Sequence, residues 1–279
     1  MNLAIDAGGT NLRASIRKNN DDQININAKS DEIGLASFIE KILNLHKNIK
    51  TIGISYAGQV KDGTIIDAPN IKVDIWDIKK YFETKYAIPL FIENDLTCAV
   101  IAEAKELKSK NICALYVGTG IGLGVINDGH IIKGSSNQAC EIGHIPYKKA
   151  PFKCGCGREN CIENFVSGTA ITKWIKHYNL TCRATLEALK NDINPDSKEV
   201  LKEFEEALFY AIGTTITLFN PEILVLGGGI IEANPYLSDK VIANIGSFAL
   251  KPTLENCKII KSQLSDAPLI GASLLKDIK

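Results

Sequence analysis

The chain has 279 residues, and its 32 Lys plus Arg balance 32 Asp plus Glu, for zero formal net charge. With 45% apolar and 23% charged residues it is neither a polybasic nucleic-acid binder nor an unfolded acidic tail. At roughly 150 residues per domain, the length suggests about two domains. No apolar run approaches the ~18 residues of a membrane span. Asp6 stands where a secretion signal needs its apolar stretch. A cytoplasmic chain with neither membrane nor nucleic-acid partners is therefore expected, its eight cysteines reduced.

In chain order, Leu3–Ile5 is a short apolar strand ending in Asp6-Ala7-Gly8-Gly9-Thr10. Leu12, Ala14 and Ile16 alternate with polar residues, as do Ile24 and Ile26, which predicts two more strands. Leu35, Phe38, Ile39, Ile42 and Leu43 are spaced for a helix between Asp31 and His46, with Asp31 as its cap. Strands over Thr51–Tyr56 and Pro89–Ile92 follow. A helix then runs from about Asp95 to Leu107, with Val100, Ile101, Ala104 and Leu107 on one face.

The pattern restarts near Lys108-Ser109-Lys110. A strand over Ile112–Val117 ends in Gly118-Thr119-Gly120, and Asn127-Asp128-Gly129 turns a hairpin toward Ile131-Ile132. Ser167 caps a helix starting at Gly168, and another helix covers about Ser197–Phe219. A buried strand at Ile223–Leu226 ends in Gly227-Gly228-Gly229; Ile259-Ile260 is the last strand, and Pro268 opens a terminal helix. This weak internal repeat predicts an N-terminal α/β domain over 1–108 plus 265–279 and a C-terminal α/β domain over 109–264.

Glycine turns after strands let backbone N–H groups approach an anion. Gly8 and Gly9, with the Thr10 hydroxyl, suit a phosphate, and Asp6 could hold Mg²⁺ through water. A plain hairpin with glycines at positive φ accounts for this turn equally well. The run Gly118–Gly124 lacks the dinucleotide spacing, since the third glycine would fall on Leu123 or Val125 and no helix follows. No Gly-Lys pair occurs, so a Walker A loop is excluded. Two phosphate hairpins on duplicated domains, with Gly227-Gly228-Gly229 beside the nucleotide, read better.

His144 precedes Cys154-Gly155-Cys156-Gly157-Arg158-Glu159-Asn160-Cys161. Three thiolates and one imidazole over so short a span suit a structural tetrahedral zinc site. A redox pair is the alternative, but no helix start is at hand to lower a thiol pKa. Glu141 and Glu163 flank this loop, and carboxylates beside an imidazole accept hydroxyls directionally. Asp95, after Glu93-Asn94, reads on its own as an ordinary helix cap.

Taken together, Asp6-Ala7-Gly8-Gly9-Thr10, Glu93-Asn94-Asp95, Gly118-Thr119-Gly120-Ile121-Gly122, Glu141-Ile142-Gly143-His144, the Cys154–Glu163 stretch and Gly227-Gly228-Gly229 resemble the ROK family of sugar kinases and related repressors, within the actin-like ATPase superfamily. The matches run in family order over nearly the whole chain. The resemblance implies two ribonuclease-H-like domains with ATP and sugar in the cleft between them. It implies that Asp95 is the base, that Asn94, Glu141, His144, Glu163, Asn70 and the Gly58 backbone contact sugar, and that His144 also ligates zinc with Cys154, Cys156 and Cys161. Asp6, Gly8, Gly9, Thr10, Gly118, Thr119, Gly120, Gly227 and Gly228 fall to ATP and its Mg²⁺.

The pattern departs from the family's at Asn11, where lysine is frequent, and at Ala57, where proline precedes the glycine; Cys140 and Asn160 replace common glycines. These departures bear on the sugar's identity more than on phosphoryl transfer. The family's regulators carry a helix-turn-helix ahead of the first strand, and a phosphate turn beginning at Asp6 leaves no room for one. A hexokinase is expected, with glucose the first choice, N-acetylmannosamine and fructose behind it, and a homodimer as its assembly. The non-enzyme alternative is a sugar-sensing regulator of the same family.

Overall fold

A computed structural model describes residues 1–17, 23–68 and 71–278. The first apolar runs become β1 (Asn2–Ala7), β2 (Asn11–Arg17) and β3 (Gln23–Lys29), antiparallel neighbours in a sheet. The helical spacing becomes α1 (Leu35–Leu45), which buries Leu35, Phe38, Ile39, Ile42 and Leu43 against the sheet's apolar core. Each such side chain is worth about 1.5–3 kcal/mol removed from water. Its start differs from expectation. Gly34, not Asp31, is the N-cap and brings no side-chain acceptor. Asp74, distant in sequence, supplies it instead, accepting from Ala36 N and Ser37 N at 2.9 Å each. The orphan N–H groups of a helix start need an acceptor, and it can come from a remote loop.

Next come β4 (Thr51–Tyr56), a small hairpin of β5 (Val60–Lys61) and β6 (Thr64–Ile65), α2 (Ile78–Tyr86), β7 (Leu90–Asn94) and α3 (Asp95–Leu107). β1, β4 and β7 run parallel, giving the sheet order β3-β2-β1-β4-β7. The burial on α3 covers Cys98 to Glu103, while Ala104 and Leu107 are only half-buried. The single-stripe expectation fails because α3 packs on the sheet and on a further helix as well.

The chain repeats this scheme with β8 (Ile112–Val117), β9 (Ile121–Asn127) and β10 (His130–Ile131). Asp128 and Gly129, at φ 49° and 77°, turn the expected hairpin. Then follow α4 (Gly168–His177), α5 (Leu186–Asn191), α6 (Pro195–Phe219), β11 (Ile223–Gly227), α7 (Gly229–Ala233), α8 (Tyr236–Asn244), α9 (Lys251–Glu255) and β12 (Lys258–Lys261). The second sheet, β10-β9-β8-β11-β12, repeats the first in order and in strand sense. The last helix, α10 (Ala267–Leu274), carries its proline in the first turn and is the second partner of α3.

The residues form two compact units, Met1–Lys108 with Lys133–Ala139 and Leu264–Lys279, and Ser109–Ile132 with Cys140–Gln263. Among the described residues no helix is long and apolar enough to cross a membrane.

Candidate functional site

In the first unit the chemistry-bearing residues gather at the C-terminal ends of the parallel strands β1, β4 and β7, where open α/β sheets place their ligands. The turn from β1 to β2 is closed by Gly8 N donating to Asn11 O at 3.1 Å, and the Ser30 hydroxyl braces it on Gly8 O at 2.5 Å. Gly9 and Thr10 stand exposed at its tip. Neither Gly8 nor Gly9 has positive φ, so the turn does not require glycine for its backbone angles. The turn is still a hairpin between antiparallel strands, but what its glycines provide is a bare backbone and not a positive φ.

Asp6 is buried beneath this turn. Its Oδ1 accepts from the Ser55 hydroxyl at 2.9 Å and its Oδ2 from Arg13 at 2.6 Å. The remaining lone pairs suit a cation that takes few carboxylates and many waters.

At the end of β7, Asn94 caps α3. Its Oδ1 accepts from Leu96 N at 2.9 Å and Thr97 N at 3.4 Å, and its Nδ2 donates to Gly58 O at 3.3 Å. Asp95 is therefore the first helical residue and not the cap. Its half-buried carboxylate accepts from Leu96 N at 2.9 Å. Beside it, Glu93 is paired with Lys133 and accepts from Asn137 Nδ2 at 3.3 Å.

In the second unit the turn Gly118-Thr119-Gly120 is stitched to the start of α4. Gly168 N donates to Gly118 O at 2.9 Å, and Thr169 N to Thr119 O at 3.1 Å. Ser167 caps α4, its Oγ accepting from Ala170 N at 2.9 Å. Glu163 reaches the turn from below, its Oε2 accepting from Ile121 N at 3.3 Å. Gly228, at φ 89°, passes so close to β8 that a Cβ would lie 2.6 Å from Val117 O. That contact seats Gly227-Gly228 beside the end of β8.

The expected cysteine cluster is assembled. Cys154 Sγ lies 3.6 Å from His144 Nδ1, Cys156 Sγ lies 3.3 Å from Cys161 Sγ, and all four ligating atoms are within 4.8 Å of one another. A tetrahedral ion with metal–sulfur bonds of ~2.3 Å sets its ligand atoms about 3.5–3.8 Å apart. Three sulfurs and one nitrogen at these spacings are compatible with structural zinc. The loop is folded by its own backbone, with Cys154 N on Arg158 O and Gly157 N on Cys154 O. Cys154 Sγ also lies 3.4 Å from Glu163 Oε1, so one carboxylate spans the distance from the cluster to the glycine turn.

Burial pushes the Cys156 thiol up, but the Arg158 N–H and guanidinium, with Cys161 and Cys154, hold it below the usual thiol range. The sequence argument considered only a helix start as the means of lowering a thiol; here an arginine lowers it without one. Glu141 is raised by the protein around it; His144 draws it down and the Glu163 charge pushes it up. Those three groups therefore lie within electrostatic reach of one another.

The ROK family model matches residues 2–278. The chain belongs to the ROK family. An N-acetyl-D-glucosamine kinase of Photobacterium profundum is 28% identical over 246 residues, 82% of this chain and 80% of that protein. A xylose repressor of Bacillus subtilis is 30% identical over 230 residues, 80% of this chain and 59% of the repressor. A ROK family glucokinase from Streptomyces griseus, solved in complex with glucose and AMPPNP, superimposes with a TM-score of 0.77 at 21% identity, covering 99% of each chain. That likeness shows the fold: two ribonuclease-H-like units of the actin-like ATPase type.

Within this ROK chain the candidate residues fall into two local groups. Asp6, Gly8, Gly9, Thr10, Gly58, Asn94 and Asp95 lie in the first unit. Gly118, Thr119, Gly120, Glu141, His144, Cys154, Cys156, Cys161, Glu163, Gly227 and Gly228 lie in the second. Asn70 lies outside the described residues. Sequence reasoning passed over Arg13, Ser55, Lys133 and Asn137. Arg13 falls among the polar residues of an alternating strand, and Ser55 inside a strand with no feature that marks it. Only pairing across strands shows that both face Asp6.

Proposed function

We propose that the chain transfers the γ-phosphate of ATP to the 6-hydroxyl of a hexose, with Asp95 as the base. The observation that carries this reading is that Asn94 performs the capping of α3. Asp95 then follows the cap as the first residue of the helix. A carboxylate there can take the proton as the sugar oxygen attacks phosphorus and ADP departs. Phosphoryl transfer asks little more of a protein than a base, positioning and charge neutralisation.

Asn94 and the Gly58 carbonyl, bonded to one another, would hold the sugar beside that base. Glu141, His144 and Glu163 supply further acceptors for its hydroxyls. Asp6, Gly8, Gly9, Thr10, Gly118, Thr119, Gly120, Gly227 and Gly228 are the residues proposed for the nucleotide contacts. Asp6 would hold Mg²⁺, which when bound neutralises the phosphate charge. Zinc on His144, Cys154, Cys156 and Cys161 would be structural, fixing the loop that carries Glu163.

Glucose is the first candidate substrate, with N-acetylmannosamine and fructose as alternatives; the kinase relative named above makes N-acetylglucosamine a necessary member of the panel. A homodimer belongs to the same proposal and is checked by light scattering. The test is ATP-dependent phosphorylation of a panel of hexoses and 2-acetamido sugars. One sugar should dominate in kcat/KM. A protein that binds a sugar and phosphorylates none would instead be a sugar-responsive regulator, the reading that the repressor relative brings forward.

A further inference from the structure

The registers of the first sheet align one polar row across three of its strands and into a fourth. Arg13 on β2 lies opposite Asp6 on β1, Asp6 opposite Ser55 on β4, and Ser55 opposite Glu93 on β7. Residues paired in this way point to the same face. The row is closed at the β2 end by Asp266, the residue that precedes α10. Arg13 Nη1 donates to Asp266 Oδ2 at 3.1 Å, and Arg13 Nη2 lies 2.9 Å from Asp266 Oδ1 and 2.6 Å from Asp6 Oδ2. One guanidinium nitrogen thus stands between two carboxylates.

The Asp6 carboxylate is the more enclosed of the two, with its side chain 10% exposed against 26% for Asp266; Arg13 is 42% exposed. Ser55 holds Oδ1 and Arg13 holds Oδ2, so both oxygens are anchored. Without Arg13, the two carboxylates would be left with no cation between them, and their repulsion would turn one of them away.

We propose that Arg13, braced by Asp266, is a positioning residue for Asp6, and that the segment entering α10 is therefore part of the nucleotide side of the site. The guanidinium fixes the orientation of the Asp6 carboxylate. A lysine would supply the charge but not the two-pronged contact that reaches both acids. The inference rests on the kinase reading only in assigning Asp6 to the Mg²⁺–phosphate side.

The test measures affinity for a magnesium complex of a non-hydrolysable ATP analogue by calorimetry, alongside sugar affinity and melting. Arg13→Met should weaken the nucleotide complex about tenfold or more, the scale of a lost charge-assisted bond, while sugar affinity stays within about twofold. Arg13→Lys should recover part of the loss, and Asp266→Asn should fall between wild type and Arg13→Met. Because Arg13 is partly exposed, folding should persist; if Arg13→Met does melt early, Asp266→Asn, which keeps the Asp6 pair, carries the comparison. Unchanged nucleotide affinity in both variants, or parallel loss of sugar and nucleotide affinity, overturns the inference. A wild-type protein that binds the analogue yet phosphorylates no sugar overturns the kinase reading alone, because the Arg13 comparison is still read in binding. A wild type with no affinity for the analogue overturns both.

Discussion

The Glu163 carboxylate fills the space that a side chain on Gly120 would need: a Cβ there would lie 2.6 Å from Glu163 Oε2. The glycine turn and the loop of the cysteine cluster are thereby in direct contact. Gly143, of the Glu141–His144 motif, is under a similar restriction, its Cβ position lying 2.7 Å from Ile121 O. A carboxylate at the end of a flexible side chain yields more cheaply than backbone. Gly120→Ala should therefore move Glu163 off Ile121 N and leave the fold intact. The expected result is a clear rise in sugar Kd with a melting temperature close to wild type. Unaltered sugar binding would show that Glu163 has no part in holding sugar.

The zinc proposal gives a second test. Purified protein should carry about one zinc per chain, retained through dialysis. Cys156→Ser should lose the ion and loosen the loop of Glu163, raising the sugar KM more than it lowers kcat. Metal-free protein with full activity and an unchanged melt would refute a structural metal here.

Cys140 offers a test of backbone strain. It holds φ at 67°, in the left-handed region that glycine occupies freely. A side chain there costs roughly 1–2 kcal/mol, partly offset because glycine loses more entropy on folding. Cys140→Gly should therefore stabilise the protein by up to about 1 kcal/mol in urea unfolding. Loss of stability would mean that the thiol, 3.8 Å from Ile132 O, contributes more than its conformation costs.

Acid should unfold the first unit through two carboxylates. Lys85 and the hydroxyls of Tyr81 and Tyr86 hold Glu40 at about 2. Burial pushes Asp74 up, but the Ser37 hydroxyl and the N–H groups of Ser37 and Ala36 more than offset it, leaving it below its ordinary value. Both groups are depressed in the folded state. Their contribution is complete above the ordinary carboxylate range near pH 4 and fades as pH falls toward the folded values. Glu40→Gln and Asp74→Asn should each flatten the decline of the urea midpoint between pH 5 and 3, within about those limits. An unchanged slope in both would place the acid sensitivity elsewhere.

Much of this architecture was legible because its signals are local. Period-2 alternation marks β2 and β3, short apolar runs mark β1 and β8, and the stretch from Asp95 to Leu107 reads directly as a helix. The hairpin of β5 and β6 carried an equally local sign, Asp62-Gly63 at φ 52° and 88°, which the reading passed over. The cap of α1 was not legible, since Asp74 reaches it from a loop far along the chain. The same holds at the site. The glycine turns and the cysteine spacing announce themselves in sequence, whereas Arg13, Ser55 and Lys133 gain meaning only through strand register and the return of the chain. A one-dimensional pattern records which face a residue takes, not what is opposite it.

The last prediction separates the two neighbours at the start of α3. Asn94 carries the cap, so Asn94→Ala should cost about 0.5–2 kcal/mol of stability, with its loss of the Gly58 contact weakening sugar binding as well. Asp95→Asn keeps the size and one oxygen able to accept from Leu96 N, and the cap beside it is untouched. Its melt should move by only a few tenths of a kcal/mol. If Asp95 is the base, what it loses is the ability to take a proton. General-base loss costs roughly 10²–10⁴ in rate. The expected pattern is a large drop in kcat, a modest change in sugar Kd and a near-normal melt, a split that belongs to a group acting in the transition state. Asn94→Ala should show the converse, an early melt with a smaller loss of kcat per folded molecule. If Asp95→Asn turned over normally while melting early, the carboxylate would be structural, and the proton would have to leave the sugar by way of another residue.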